Sequence, residues 1–345
     1  MRKIQNIIIA LSLLVTASCV GQKDTASDYS LTISVSQPNV SIDEGESVQI
    51  LVKNHSIDVT EQSEIFYTSG GEEITVPSGI FTATQSGEYS FSARYEGVET
   101  DTYAVVCAYT SDQLTDEYYR RNLVMKFTGT WCVNCPNMGD AITEAEHTLP
   151  NRIVEMALHI SDVLKTDEGT QIASDNNFTV LPIAFIDMYS STSQSSASTI
   201  ISQISSSIEF NPTVAGVRID SSLSGSSLSV EVGVKAAAAD SYKVAVAMVT
   251  DNYNYTQTGA DDPNYKQDKV LRFYLSELYG DSVTLEAADT ESTLSYTVTV
   301  PDDSLASESR IIAYVLNEVD GSYIVNNATE CIIGESIDYM YEISE

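Results

Sequence analysis

The chain has 345 residues, 17 of them basic and 49 acidic, for a net charge of −32. A chain this long exceeds one ordinary hydrophobic core and is read as two or three domains. So large a negative excess repels the polyanionic backbone of DNA or RNA, which excludes nucleic-acid binding; the acidic surface is read as serving solubility rather than one specific partner.

The first residues specify a compartment. Met1-Arg2-Lys3 is a basic start, Ile7 to Val15 is a short apolar run, and Thr16-Ala17-Ser18-Cys19 follows. Residues 1–18 therefore read as a signal peptide, too short to span a bilayer as a helix. Small residues before Cys19 resemble a bacterial lipobox, which implies cleavage at Cys19, a lipid on its sulfur, and contact with a membrane through that anchor. Thr16 departs from the usual leucine, so an unlipidated secreted form stays open, as does an ordinary signal-peptide cysteine. No other stretch is long and apolar enough to span. Residues 19–29 are small and polar and read as the lipidated tether.

Residues 30–107 carry strand periodicity: Leu31, Ile33 and Val35 alternate, as do Val48, Ile50 and Val52. Asp43-Glu44-Gly45-Glu46 and Ser69-Gly70-Gly71-Glu72 read as turns. Gly87-Glu88-Tyr89-Ser90-Phe91 resembles the corner of an immunoglobulin-like sandwich, with phenylalanine where antibody domains carry cysteine. His55 stands alone and reads as a surface histidine.

Residues 108–210 alternate strand and helix signals, the pattern of an α/β sheet. A short capped helix is predicted over Asp112 to Tyr119, strands over Leu123 to Phe127, Ile153 to Ile160 and Pro182 to Asp187, and helices over Pro136 to Leu149, Thr166 to Asn176 and Ser195 to Ile208. No strand signal is evident in the serine-rich stretch Ser190 to Ser198. At the first strand-to-helix junction lies Trp131-Cys132-Val133-Asn134-Cys135-Pro136, with the only tryptophan of the chain. A cysteine at a helix N-terminus feels unpaired N–H groups and the positive end of the dipole, which favour thiolate. A partner three residues on lies close enough to close a disulfide.

These residues resemble the active site of the thioredoxin superfamily. Val180-Leu181-Pro182, ahead of Ile183-Ala184-Phe185-Ile186, adds to the likeness, because in that superfamily a cis-proline faces the cysteines. Phe127-Thr128-Gly129-Thr130-Trp131-Cys132 with Cys135-Pro136 is also similar to the thioredoxin-like outer-membrane lipoproteins of the 28-kDa outer-membrane protein (Omp) related family. The resemblance covers roughly residues 108–210; beyond them it rests on Lys269-Val270-Leu271-Arg272 and Gly280-Asp281-Ser282-Val283. It implies Cys132 as nucleophile, Cys135 as resolving thiol, and Trp131, Leu181 and Pro182 as positioning groups for a protein thiol or disulfide partner, with no cofactor. Lys126 falls where thioredoxins carry a buried acid, so it departs from the pattern at the group that would deprotonate the resolving thiol. A structural disulfide that never cycles is the bland alternative. Zinc would need four ligands, and only His147, His159, Cys107 or Cys331 could complete such a set, so no metal is expected. Cys107 and Cys331 read equally as a second disulfide or as two separate buried thiols.

Residues 211–345 return to strand periodicity. Leu228, Val230, Val232 and Val234 alternate, as do Val244, Val246 and Met248, and Asp320-Gly321 marks a hairpin. Lys269 to Leu278 is read as a short helix within this β region. Asp251-Asn252-Tyr253-Asn254 and Asp261-Asp262 lack the glycine and glutamate of a calcium loop and read as an acidic, tyrosine-rich surface.

The expected architecture is multidomain, α/β plus all-β: an immunoglobulin-like β-sandwich at 30–107, a central thioredoxin-like domain at 108–210, and a C-terminal β-sandwich at 211–345. The expected activity is thiol–disulfide exchange at the cell envelope. Its alternative is a non-catalytic surface lipoprotein that binds a protein or glycan through its β domains.

Overall fold

The computed structural model describes residues 31–345 apart from 55–56, 70–71, 101–103, 261–264, 306–307 and 344–345. Cys19, His55, Gly70, Gly71, Asp261 and Asp262 lie outside the described residues.

The first body is a two-sheet sandwich. One sheet holds Leu31–Val35, Ser47–Asn54, Ile57–Asp58 and Ile80–Thr82. The other runs Asn39–Ser41, Ala104–Tyr109, Gly87–Tyr95, Glu64–Ser69 and Glu72–Thr75, with Val98–Glu99 beside Gly87–Tyr95. Alternation at period two turns Val48, Ile50 and Val52 inward, and all three are fully buried. They meet Phe91, Ala93 and Val106 from the facing sheet in one core. Tyr89 donates its hydroxyl to the Gln85 carbonyl at 2.9 Å, which pins the bend before its strand.

The second body is built on a nine-stranded sheet. Its order is Ser190–Thr192, Ile183–Ile186, Asn122–Thr128, Ile153–His159, Val270–Tyr274, Asp240–Thr250, Ser309–Val319 and Ser322–Ile332, with Asp281–Leu285 also on Asp240–Thr250. Asn122–Thr128 runs parallel to Ile153–His159 and antiparallel to Ile183–Ile186. The sheet curls until its last strand meets the start of Asn122–Thr128 and the end of Ile183–Ile186. Ala328 N donates to Arg121 O at 3.2 Å, and Val325 N donates to Asp187 O at 2.9 Å. Curling encloses a core of Leu123, Met125, Phe127, Met156, Leu158, Ala247, Leu271, Ile312 and Tyr314.

Three helices cover the outside or plug the end: α1 (Cys135–Thr148), α2 (Asp167–Asp175) and α3 (Ala197–Phe210). Met138, Ile142 and Ala145 of α1 and Ile200 and Ile204 of α3 recur at helical spacing and pack on Val124, Ile153, Ala184 and Ile186. Thr166 caps α2 by accepting from Gly169 N at 3.0 Å, and Ile172 enters the inner core. A four-stranded sheet (Ser292–Thr299, Ser227–Ala236, Ala215–Ser224, Ser336–Ile337) covers the remaining arc. It packs on Val244, Val246 and Met248, while their neighbours Ala245, Ala247 and Val249 face the inner core. The strand is therefore apolar on both faces, as a strand covered on both sides must be.

This overturns the expected fold class of a central thioredoxin-like α/β domain between two immunoglobulin-like sandwiches. The chain is mostly β, with few helices. The middle strands do not close a sheet of their own: Ile153–His159 pairs in parallel with Val270–Tyr274, through Ala157 and Val270. The middle and C-terminal segments thus share one sheet and one core. Periodicity reports which face of a strand is apolar, not which strand lies beside it.

Single elements differ as well. The helix expected over Asp112 to Tyr119 is one 3-10 turn, Ser111–Gln113, followed by strand Leu114–Tyr118, which pairs with Tyr341–Ile343 near the chain end. The helix expected over Lys269 to Leu278 is strand Val270–Tyr274. The serine-rich stretch supplies an edge strand, Ser190–Thr192, on Ile183–Ile186.

A buried polar knot locks the start of Asn122–Thr128 to its surroundings. Asp187 is fully buried. Its carboxylate accepts from the Arg120 guanidinium at 2.8 Å, Asn122 Nδ2 at 2.6 Å, Leu123 N at 2.8 Å and Ser207 Oγ at 2.7 Å.

Candidate functional site

Strand Asn122–Thr128 is buried along its whole length and delivers the chain to the turn Gly129–Asn134, after which α1 begins at Cys135. Pro136 fits the first turn of the helix because its missing N–H would have no helical partner there. Cys132 N donates to Gly129 O at 2.9 Å, and Cys135 N to Cys132 O at 3.3 Å, so the turn is closed by backbone bonds. Cys132 and Cys135 form a disulfide with Cα atoms 5.4 Å apart. The helix opens at the second cysteine rather than the first. Cys132 therefore sits just ahead of the N-terminal turn.

The surroundings are split. The two cysteines are only 5% and 2% exposed, whereas Trp131 and Val133 between and beside them are 52% and 59% exposed. Trp131 folds back to donate Nε1 to Ile160 O at 3.0 Å. Gly129 lies beneath that indole: a Cβ there would sit 2.9 Å from Trp131 Nε1 and 3.1 Å from Ile160 O.

The bond Leu181–Pro182 is cis. Phe127 pairs with Ile183 across the antiparallel ladder, so the register continued by one residue sets Pro182 opposite Thr128, where the chain leaves for the cysteine turn. Pro182 is buried, Leu181 half-buried and Val180 exposed. The ladder thus joins the proline strand to the cysteine strand directly.

Charged groups lie on the same side of the sheet as α1. Lys126 Nζ is 2.5 Å from Glu155 Oε1, and both are nearly buried. Burial works against the Lys126 charge, but the Glu155 carboxylate more than offsets it and holds the ammonium above its ordinary range. Lys126 is thus a paired cation and supplies no base. His159 Nδ1 lies 2.7 Å from Asp162 Oδ2, which also accepts from Thr130 N at 2.8 Å. Burial pushes the Asp162 carboxyl up, yet hydrogen bonds from His159 and Thr130 outweigh it and leave it below its usual range.

Sequence spacing gave no hint of the next contact. The segment Tyr253 to Ala260, between strands Asp240–Thr250 and Val270–Tyr274, crosses over the cysteine turn. Gln257 is buried, and its Nε2 donates to Cys132 O at 2.9 Å and Gly129 O at 3.2 Å from 125 residues away. Thr258 N donates to Thr130 O at 2.8 Å. Gln267 braces the amide, donating to Gln257 Oε1 at 2.9 Å. Gly259, at φ +85°, lies against Val133, where a Cβ would come within 2.1 Å of the carbonyl oxygen.

Cys107 and Cys331 are free thiols, half-buried and buried. Burial pushes the Cys331 thiol up to about 12. Among the described residues no cluster of three His, Cys, Asp or Glu could hold a metal ion. None of their helices is long and apolar enough to cross a membrane.

Fold and site together define a β-rich protein in which one Cys-x-x-Cys disulfide closes the turn into a helix. The family profile of Outer membrane protein Omp28 matches residues 170–336, a span that takes in Pro182 and Gln257 but not the disulfide pair Cys132 and Cys135. With the disulfide, that match fits a protein of the cell envelope. HBP35 of Porphyromonas gingivalis shares the fold at a TM-score of 0.54 and 16% identity, over 64% of this chain and 77% of that one. A protein of Agrobacterium tumefaciens aligns with a TM-score of 0.41 and 14% identity, over 64% of this chain and 97% of its own, too low a score to bear on the fold. No curated protein matches the sequence.

Proposed function

We propose that this is an envelope lipoprotein, anchored through Cys19, that binds a partner protein or glycan through its β surfaces. In this reading Cys132–Cys135 braces the turn into α1. The observation that carries it is the burial of both cysteines, in a turn whose Cys132 carbonyl is bonded by the buried Gln257 amide. A bond so enclosed resists attack, because the incoming thiolate needs an open approach in line with the two sulfurs. Lys126 is an ammonium tied to Glu155, so it does not itself supply the base that a resolving thiol would need.

Thiol–disulfide exchange is the second reading, favoured by the exposed Trp131 and Val133 beside the pair and by the strand pairing that brings the Pro182 strand against the cysteine strand. A partner thiolate would attack Cys132 Sγ, breaking the Cys132–Cys135 bond and releasing Cys135 as thiolate. A second partner thiolate would then displace Cys132, leaving the partner oxidised and the pair reduced by two electrons.

One experiment separates the two. The folded protein is equilibrated in glutathione redox buffers and assayed for insulin reduction, with Cys132→Ser and Cys135→Ser as controls. A brace stays oxidised across the glutathione range and gives no turnover. Turnover that both substitutions abolish would replace the first reading with the second. Loss of labelled fatty-acid incorporation in Cys19→Ser tests the anchor.

A further inference from the structure

We infer that Tyr253 to Ala260 is a gate: the Cys132–Cys135 bond is shielded by this removable strap rather than by its own geometry, and Gln257 is the latch. The inference concerns access to the bond; it rests on the exchange reading only for any use made of that access.

Three features argue for a latch rather than ordinary packing. At the tip of the strap, polar contacts reach the cysteine turn: Gln257 donates to the carbonyls of Gly129 and Cys132, and Thr258 N to that of Thr130. Its fit depends on Gly259, which leaves no room for a side chain over Val133. Its outer residues Asn254, Tyr255, Thr256 and Thr258 are exposed, so little apolar surface holds it down. Its base is the firm part. Tyr253 and Gln267 bond backbone to backbone, and the Tyr253 hydroxyl donates to Asp303 Oδ2 at 2.9 Å. A strap with a firm base, polar contacts at its tip and little buried apolar area opens locally at low cost, without global unfolding.

In a gated bond, reduction by dithiothreitol follows opening. The reagent's thiolate attacks Cys132 Sγ and expels Cys135. Its second thiolate closes the six-membered ring and expels Cys132, and two electrons pass to the pair. The test follows this reduction in the folded, full-length protein by Trp131 emission, for wild type, Gln257→Ala and Gly259→Val.

Gln257→Ala removes the latch, and Gly259→Val wedges the strap away from Val133. Both are expected to speed reduction several-fold, up to about tenfold, because a net hydrogen bond is worth up to about a factor of ten in an opening equilibrium. General loosening is controlled by Val106→Ala in the distant N-terminal sandwich, matched for lowered urea midpoint, which is expected to keep the wild-type rate. Unchanged rates in both strap variants would overturn the gate, as would equal acceleration in Val106→Ala. Faster reduction without insulin turnover would leave the gate standing and remove exchange as a function. Wild-type turnover with unaltered rates in the strap variants would do the reverse.

Discussion

Replacing Asp187 with asparagine should destabilise the second body almost as much as replacing it with alanine. The carboxylate is fully buried, and everything that touches it is a donor: the Arg120 guanidinium, the Asn122 amide, the Leu123 N–H and the Ser207 hydroxyl. Asparagine keeps the shape but puts an NH2 where an acceptor is required, and it strips Arg120 of its counter-charge. Arg120 is only 2% exposed and cannot turn to water. Removing one member of a buried ion pair costs about 3–5 kcal/mol, mostly as the penalty of the charge left behind. The expected loss for Asp187→Asn is therefore ~4 kcal/mol, read from equilibrium urea unfolding followed by circular dichroism. Adding Arg120→Met should recover more than half of it, since the stranded charge is then gone. A single Asp187→Asn variant within ~1 kcal/mol of wild type would refute the reasoning. Asp187 directly follows strand Ile183–Ile186, so the same variant should loosen Pro182 against the cysteine strand.

Other perturbations follow from the same physics. Lys126→Met strands Glu155 and should cost about 3–5 kcal/mol in urea, whereas Lys126→Met with Glu155→Leu should cost far less. Burial raises the Glu330 carboxyl, but Lys269, Arg310 and Arg121 outweigh it and draw it down to about 2. Its contribution is therefore present above its unfolded value of 4.5 and lost as pH falls towards 2. Glu330→Gln should be less stable than wild type at pH 7, and the two unfolding midpoints should converge on acidification through that window. Gly129→Ala drives a methyl against the Trp131 indole and Ile160 O, with an overpacking cost of about 1–3 kcal/mol. Its signature is altered emission from the sole tryptophan, and emission like wild type would argue against the contact.

Much of the local structure was readable from the chain alone. The strand feeding Cys132, the helix after it and the hairpin at Asp320-Gly321 follow from periods of two and 3.6 residues and from turn chemistry, because those signals act between near neighbours. The cysteine spacing was compatible with the disulfide, and the cis bond at Leu181-Pro182 was what the thioredoxin resemblance implied. Lys126 stood out as a cation in an apolar strand, but its partner Glu155 sits on a different strand and became visible only through their pairing.

What the sequence determined by itself was the strand and helix on either side of the cysteine turn, the apolar faces of the strands with clear alternation, and two cysteines able to close one turn. Tertiary structure decided that the middle and C-terminal strands share a single curled sheet, and that Gln257 lies across a turn 125 residues earlier. The physical reason is the same in both cases. A strand edge offers identical N–H and C=O groups to any partner, and a glutamine amide binds any carbonyl within reach, so the choice is made only when distant segments pack together.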